Sequence, residues 1–286
     1  MNRSIQIESK RSLFSLNRRA RTLAMVVLAA AILAGIAASG ILMDANAYGS
    51  NFAEKNQGPS LMHLFGTDFM GRDMLARTVK GLSTSIAIGL VAASVSAVMA
   101  VLFGIAAATL GKKADAVISM GVNLMMGVPH IILLMLISFV CGKGVKGVII
   151  AVALTHWPNL TRIIRSEVMQ VRSSHYVKAS AKMGKSRGWI ARKHILPHLV
   201  PQFVVGLILL FPHAILHEAA ITFLGFGLPL QMPAIGVILS ESMKYLSMGM
   251  WWLAFFPGFS LLILVLLFDA MGENLRLLID PYRAHE

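Results

Sequence analysis

The stretch HYVKASAKMGKSRGWIARKHILP, residues 175–197, holds six Lys and Arg and no acid inside a chain that is 56% hydrophobic. From Arg165 to Leu199 the sequence is too polar to enter a bilayer, yet it keeps a helical period. Val168, Val171, Tyr176, Ala179 and Met183 are spaced for one apolar face, with Lys178 and Lys182 off it. The pattern predicts a helix stopped by Gly184, a second short helix over 189–194, and a further helix begun by Pro197. Such an elbow presents a surface. It fits an interfacial segment whose Lys and Arg rest on anionic headgroups, and it equally fits a loop that docks another protein. A nucleotide site does not fit: Met183-Gly184-Lys185-Ser186 ends like a P-loop, but the first glycine of G-x-x-x-x-G-K-[ST] falls on Ala179, and no strand precedes it.

What flanks this stretch is apolar. A mean hydropathy of +0.71 with 14% charged residues places the 286-residue chain in a bilayer, since about a quarter of a soluble domain is charged. The net charge of +13 would suit nucleic acid only if the basic residues lined one face of a soluble fold; they punctuate apolar runs instead, so no nucleic-acid partner is expected. A single cysteine, Cys141, excludes an intrachain disulfide and a multi-cysteine metal site. A spanning helix needs roughly 20 apolar residues, and six runs qualify: 23–43, 84–110, 117–140, 145–164, 199–223 and 250–271. Lipid offers the backbone no hydrogen bonds, so these runs are helices and the fold is an all-α integral membrane protein. The first run ends near Ala45-Asn46-Ala47, which looks like a signal-peptide cleavage site, but its apolar part exceeds the roughly 7–15 residues of a signal core and it is read as a retained helix.

Charge sets the orientation. The leader, the connection around Lys112, the 165–198 loop with its approaches and the tail carry 19 of the 26 Lys and Arg, and the alternate connections carry seven. Positive residues accumulate on the cytoplasmic side, so both termini and the opening stretch are expected there. The chain divides into a basic leader (1–22), a first membrane helix (23–43), an extracytoplasmic segment (44–83), a five-helix core (84–272) that includes the 165–198 loop, and a cytoplasmic tail (273–286). In the extracytoplasmic segment, Asp68 with Arg72 and Asp73 with Arg77 read as solvated i,i+4 pairs on a helix.

The loop resembles the permease subunits of ATP-binding-cassette importers, whose cytoplasmic loop runs Glu-Ala-Ala, three residues, Gly, nine residues, Ile-x-Leu-Pro. Here Lys178-Ala179-Ser180, Gly184 and Leu196-Pro197 stand at that spacing, with Lys178 replacing the acid and His194 at the Ile position. The dipeptide, oligopeptide and nickel branch is more similar: Tyr176-Val177, Ala179, Gly184 and His194-Ile195-Leu196-Pro197 follow its pattern, with His198 in place of an Asn. Leu64-Phe65-Gly66-Thr67-Asp68 through Gly71-Arg72-Asp73, Glu218-Ala219-Ala220 through Phe223-Leu224-Gly225, and Gly272-Glu273-Asn274-Leu275-Arg276 with Asp280-Pro281 resemble further signatures of that branch, lacking only the acid after Arg276. The resemblance implies a type I importer permease fold in a bacterial-type inner membrane. It also implies a second and probably different permease subunit, two ATPase subunits that bind ATP and Mg, and an extracytoplasmic binding protein. This chain would be no enzyme and carry no cofactor, and Tyr176, Ala179, Met183, Gly184, His194, Leu196 and Pro197 would couple it to an ATPase.

Polar groups at membrane depth are costly and often functional; here they are His130, His156, His213, His217, Glu218 and Asp269. His213 and His217 stand i,i+4, a spacing that lets two imidazoles share a metal. Nickel permeases carry a similar His-x-x-x-His, and Thr155-His156-Trp157 resembles a Ser-His-Trp of theirs. This implies a path for nickel or a metal chelate past His156, His213, His217 and Glu218, with His213 and His217 as metal ligands. Dipeptide or oligopeptide is the alternative cargo, and neutral histidines hydrogen-bonded between helices are the structural alternative. An intramembrane metallohydrolase lacks its His-Glu-x-x-His, because Ala219-Ala220-Ile221 follow His217-Glu218. A secondary transporter lacks its internal repeat.

Overall fold

The computed structural model describes residues 18–279. Residues 1–17 of the expected leader, and 280–286 of the tail with Asp280 and Pro281, lie outside the described residues. Five helices among those described are long and apolar enough to cross a bilayer, and a bent pair, counted as one span, brings the number to six. They are α1 (Arg18–Leu42), α2 (Met74–Thr109), the pair α3 (Lys112–Gly127) and α4 (His130–Val140), α5 (Gly144–Ser173), α8 (Leu196–Phe223) and α10 (Trp252–Ile279). Between α5 and α8 lie α6 (His175–Lys182) and α7 (Arg187–Ile190), and before α10 comes α9 (Ile235–Leu246).

Several expected boundaries move. The third span is two helices meeting at 99°, not one rod. Val128 is extended (φ −97°, ψ 138°), because Pro129 has no N–H to donate and crowds the helical conformation of the residue before it. The second helix starts at Met74, ten residues before the expected boundary, because the Asp73 carboxylate caps it by accepting from the Ala76 N–H at 2.9 Å. Instead of opening at Pro197, the fifth crossing runs on from α7 through a π turn, Ala191–Ile195. The missing N–H of Pro197 and the clash of its ring with the preceding turn are absorbed by that wider turn, where the Leu196 N–H reaches the Ala191 carbonyl. The connection 227–249 is not simply a loop: α9 folds back into it, buries Ile235, Val237 and Ile238, and is tied to α10 by Ser242 Oγ donating to Leu253 O at 2.7 Å.

α2 is the central helix. Ala92, Ala93, Ala97 and Ala100 are fully buried on it, and two glycines let neighbours approach closely. A β-carbon on Gly89 would lie 2.7 Å from Ile215 of α8, and one on Gly104 would lie 2.7 Å from Ile164 of α5. Lipid supplies no hydrophobic drive between helices, so close packing at small residues must hold them together. Large apolar side chains such as Leu28, Leu90, Leu102 and Leu262 remain exposed on the outside of the bundle, as a lipid-facing surface requires.

At the end of the bundle away from the basic loop, the expected Asp68–Arg72 pair forms, but within a buried network rather than in solvent, while Asp73 and Arg77 take other partners. Asp68 is 2% exposed and accepts from Arg72 Nε at 2.6 Å and Arg77 Nη1 at 2.8 Å; Arg77 Nη2 and Arg72 Nη2 reach Glu241 of α9 at 2.8 and 3.2 Å. Asp73 is occupied capping α2 and bonding His63 Nδ1 at 2.8 Å, so Arg77 turns to Asp68 and Glu241.

Candidate functional site

The basic loop is built on a rigid base. α5 continues past its apolar stretch to Ser173; Ser174 then takes an extended conformation and re-aims the chain into α6. That break separates residues expected on one face: Val168 and Val171 are buried with the core, as are Val177 and Ser180 of α6, while Tyr176, Ala179 and Met183 point outward. Tyr176 and Met183 are 50% and 71% exposed. α6 ends in a Schellman motif, in which the Gly184 N–H donates to Ala181 O at 3.1 Å and the Lys185 N–H to Ser180 O at 3.2 Å. Gly184 has φ +79°, a conformation in which a side chain is strained.

His194 sits on the π turn and closes the elbow. Its Nε2 is 3.0 Å from Ser180 Oγ, and its ring packs edge-on against Tyr176 and Trp189, each with centroids 5.3 Å away. Leu196 and Pro197 are exposed; Val177, Ile190, Ile195 and Leu199 anchor the loop to a core cluster that includes Val168, Val171, Ile164 and Ala100. Below it, Arg165 grips Asp115 of α3 with two hydrogen bonds of 2.6 and 2.7 Å, and Arg172 donates to the Ala108 carbonyl of α2. The loop thereby shares one packed cluster with α2, α3, α5 and α8.

The second candidate lies inside the bundle. His130, the first residue of α4, meets His156 of α5 and His217 of α8, each offering a ring nitrogen within 4.8 Å of the others. His156 Nε2 is 2.9 Å from His217 Nδ1, and His156 Nδ1 is 2.9 Å from the Val152 carbonyl. His130 packs at centroid distances of 4.9 and 4.5 Å from His156 and His217. Of the expected ligand pair, His217 is in this group, whereas His213, one turn earlier and exposed, is outside it. His130 was legible only as a polar residue at membrane depth; the Gly127-Val128-Pro129 break that brings it to the other two was the missed signal. Glu218 is fully buried on another face of α8, where its Oε1 accepts from Thr222 Oγ1 at 3.0 Å.

Comparisons with known proteins place this geometry. Residues 100–279 match the family described as binding-protein-dependent transport system inner membrane component. The chain is 31% identical over 231 residues to the dipeptide transport system permease protein DppC of Bacillus subtilis, covering 81% of this chain and 72% of that one. It is 33% identical over 232 residues to the oligopeptide transport system permease protein OppC of the same organism, covering 81% and 76%. Among solved structures, the MetNI methionine ABC transporter in inward-facing conformations is similar in fold, with a TM-score of 0.59 at 20% identity over 72% of this chain and 98% of that one.

Proposed function

Since the chain belongs to the family of binding-protein-dependent transport system inner membrane components, we propose that it lines part of the membrane path of an importer of short peptides and is moved by an ATPase subunit docked on α6. It is a multi-pass inner-membrane permease component of an ABC importer, a family whose ATPase resides on separate subunits. The finer reading has the basic side cytoplasmic, a second and different permease subunit beside this one, two ATPase subunits binding ATP and Mg, and a binding protein delivering cargo to the opposite side.

The exposed Tyr176–Ala179–Met183 face on a buttressed elbow is the observation that carries the coupling. A loop serving only as a headgroup anchor has no use for a short helix locked by Gly184 and His194 to the core. ATP-driven closure of two ATPases displaces whatever is docked in them, and a packed elbow passes that displacement to the helices it joins. The names of the relatives support peptide over nickel or a metal chelate as cargo. Nickel or a chelate stands second, supported by the histidines at His217.

Ala179→Glu tests the coupling. Ala179 is exposed, so the chain should insert and melt normally, within about 0.5 kcal/mol, while ATPase co-purification and dipeptide uptake are lost. Normal uptake by this variant refutes α6 as the coupling element. Uptake of labelled dipeptide and of labelled nickel in parallel decides the cargo: ATP-dependent nickel entry with dipeptide at background would replace peptide.

A further inference from the structure

Three imidazoles come together where α4 begins after its break. With a helical rise of about 1.5 Å, His156 lies roughly 18 Å from the Gly144 end of α5, and His130 lies roughly 15 Å from the Val140 end of α4. These two ends are joined by the short turn 141–143, so both histidines stand near the middle of a hydrocarbon layer about 30 Å thick.

Their chemistry is specified by what they bond. The Val152 carbonyl can only accept, so His156 Nδ1 carries the proton and His156 Nε2 presents its lone pair. This is the arrangement of a metal-ligating histidine, whose second nitrogen donates to a carbonyl that fixes its tautomer and ring orientation. His217 Nδ1 lies against that lone pair at 2.9 Å, and as the donor of this contact His217 keeps the lone pair of its own Nε2 free for a ligand role. His130 Nε2 is buried with no hydrogen-bond partner, and such a group costs about 1–3 kcal/mol unless something satisfies it.

Spacing and ligand type then select the guest. Three nitrogens held about 2.0–2.1 Å from one ion in a tetrahedral site stand about 3.3 Å apart, and the present spread of up to 4.8 Å closes to that by small ring rotations. No carboxylate joins the group among the described residues, Glu218 being turned into the core with Thr222. A set made of imidazole alone suits zinc, copper, iron or nickel, not the oxygen-preferring magnesium or calcium.

We propose that His130, His156 and His217 form an intramembrane site for one divalent transition-metal ion, held by three imidazole nitrogens with a fourth position open for exchange. The proposal goes beyond peptide import and does not rest on it.

The test uses the full-length permease, purified in its importer complex without a polyhistidine tag and titrated with Co2+, whose visible absorption reports imidazole coordination. One ion per chain is expected. His130→Ala, His156→Ala and His217→Ala should each weaken binding by more than the roughly 10- to 100-fold that loss of an outer-shell partner costs, and His198→Ala should leave it unchanged. His213→Ala should also retain the ion; its loss there, with retention in His130→Ala and His156→Ala, returns the site to the helical pair and overturns the triad. If a triad variant fails to insert, modification of histidines by diethyl pyrocarbonate in the unmutated protein, mapped by mass spectrometry, should be suppressed by Zn2+ at His130 and His217. Absence of Co2+ binding below a Kd of about 100 µM, or binding that survives all three substitutions, overturns the proposal. Dipeptide-stimulated ATP hydrolysis measured on the same preparations scores the import reading separately.

Discussion

Arg77→Met should be the most destabilising single change in the charged network at the start of α2, and its companion Arg72→Ala should be mild. Arg77 holds two acids with separate nitrogens, Asp68 and Glu241, each at 2.8 Å, and its side chain is only 5% exposed. Removing one partner of a buried pair costs about 3–5 kcal/mol, mostly by stranding the remaining charge. Arg72 still reaches both acids at 2.6 and 3.2 Å from a more exposed position, which puts the loss for Arg77→Met at the lower end, about 3 kcal/mol. That corresponds to roughly a hundredfold rise in the unfolded population. Arg72→Ala leaves Arg77 in place between the acids and should cost about 1 kcal/mol or less. The double variant Arg77→Met/Asp68→Asn removes the stranded charge as well, so it should be more stable than Arg77→Met alone. Unfolding of the detergent-solubilised protein, followed by heat or denaturant, measures all four species. Equal losses for Arg72→Ala and Arg77→Met, or a double variant worse than Arg77→Met, would refute the reasoning.

Gly104→Val should lower stability by about 1–3 kcal/mol, because a β-carbon there lies 2.7 Å from Ile164 Cγ2; adding Ile164→Ala should restore part of the loss in the same melting assay. His194→Phe keeps a ring against Tyr176 and Trp189 but removes the contact with Ser180, so it should insert normally and weaken ATPase co-purification several-fold, with His194→Ala weaker still. Arg165→Lys gives up the two-pronged grip on Asp115, but both side chains are about one-third exposed, so the change should stay below about 1 kcal/mol by thermal unfolding.

The membrane helices were legible because lipid imposes one rule on every backbone, and runs of about 20 apolar residues obey it. The features that were not legible are those in which that rule is locally suspended or in which distant residues meet. Hydropathy averages across Val128-Pro129 and sees one span where the chain turns through 99°. α9 has 12 residues, too few to register as a crossing, and it is stable because Ile235 and Ile238 are buried by its neighbours. Tyr176, Ala179 and Met183 are exposed on α6, whereas Val168 and Val171, which share their period in the sequence, are buried, since a single extended residue, Ser174, resets the helical phase. Arg77 and Glu241 are 164 positions apart, so no local spacing could pair them. The histidines belong to the same class: the i,i+4 rule finds partners on one helix, whereas His130, His156 and His217 come from three.

The unbroken helical run from Gly188 to Phe223 gives the elbow mechanical reach. Its 36 residues form a rod about 54 Å long, with the loop at one end and His217 well past the middle. A tilt of about 10° about its centre sweeps each tip through nearly 5 Å in opposite directions, about the length of one helical turn. If the run tilts as one body across its π turn and the interior Pro201 and Pro212, what pulls the elbow one way at the basic surface would carry Phe223 the other way at the far end. Opening on one side and closing on the other would then be a single motion.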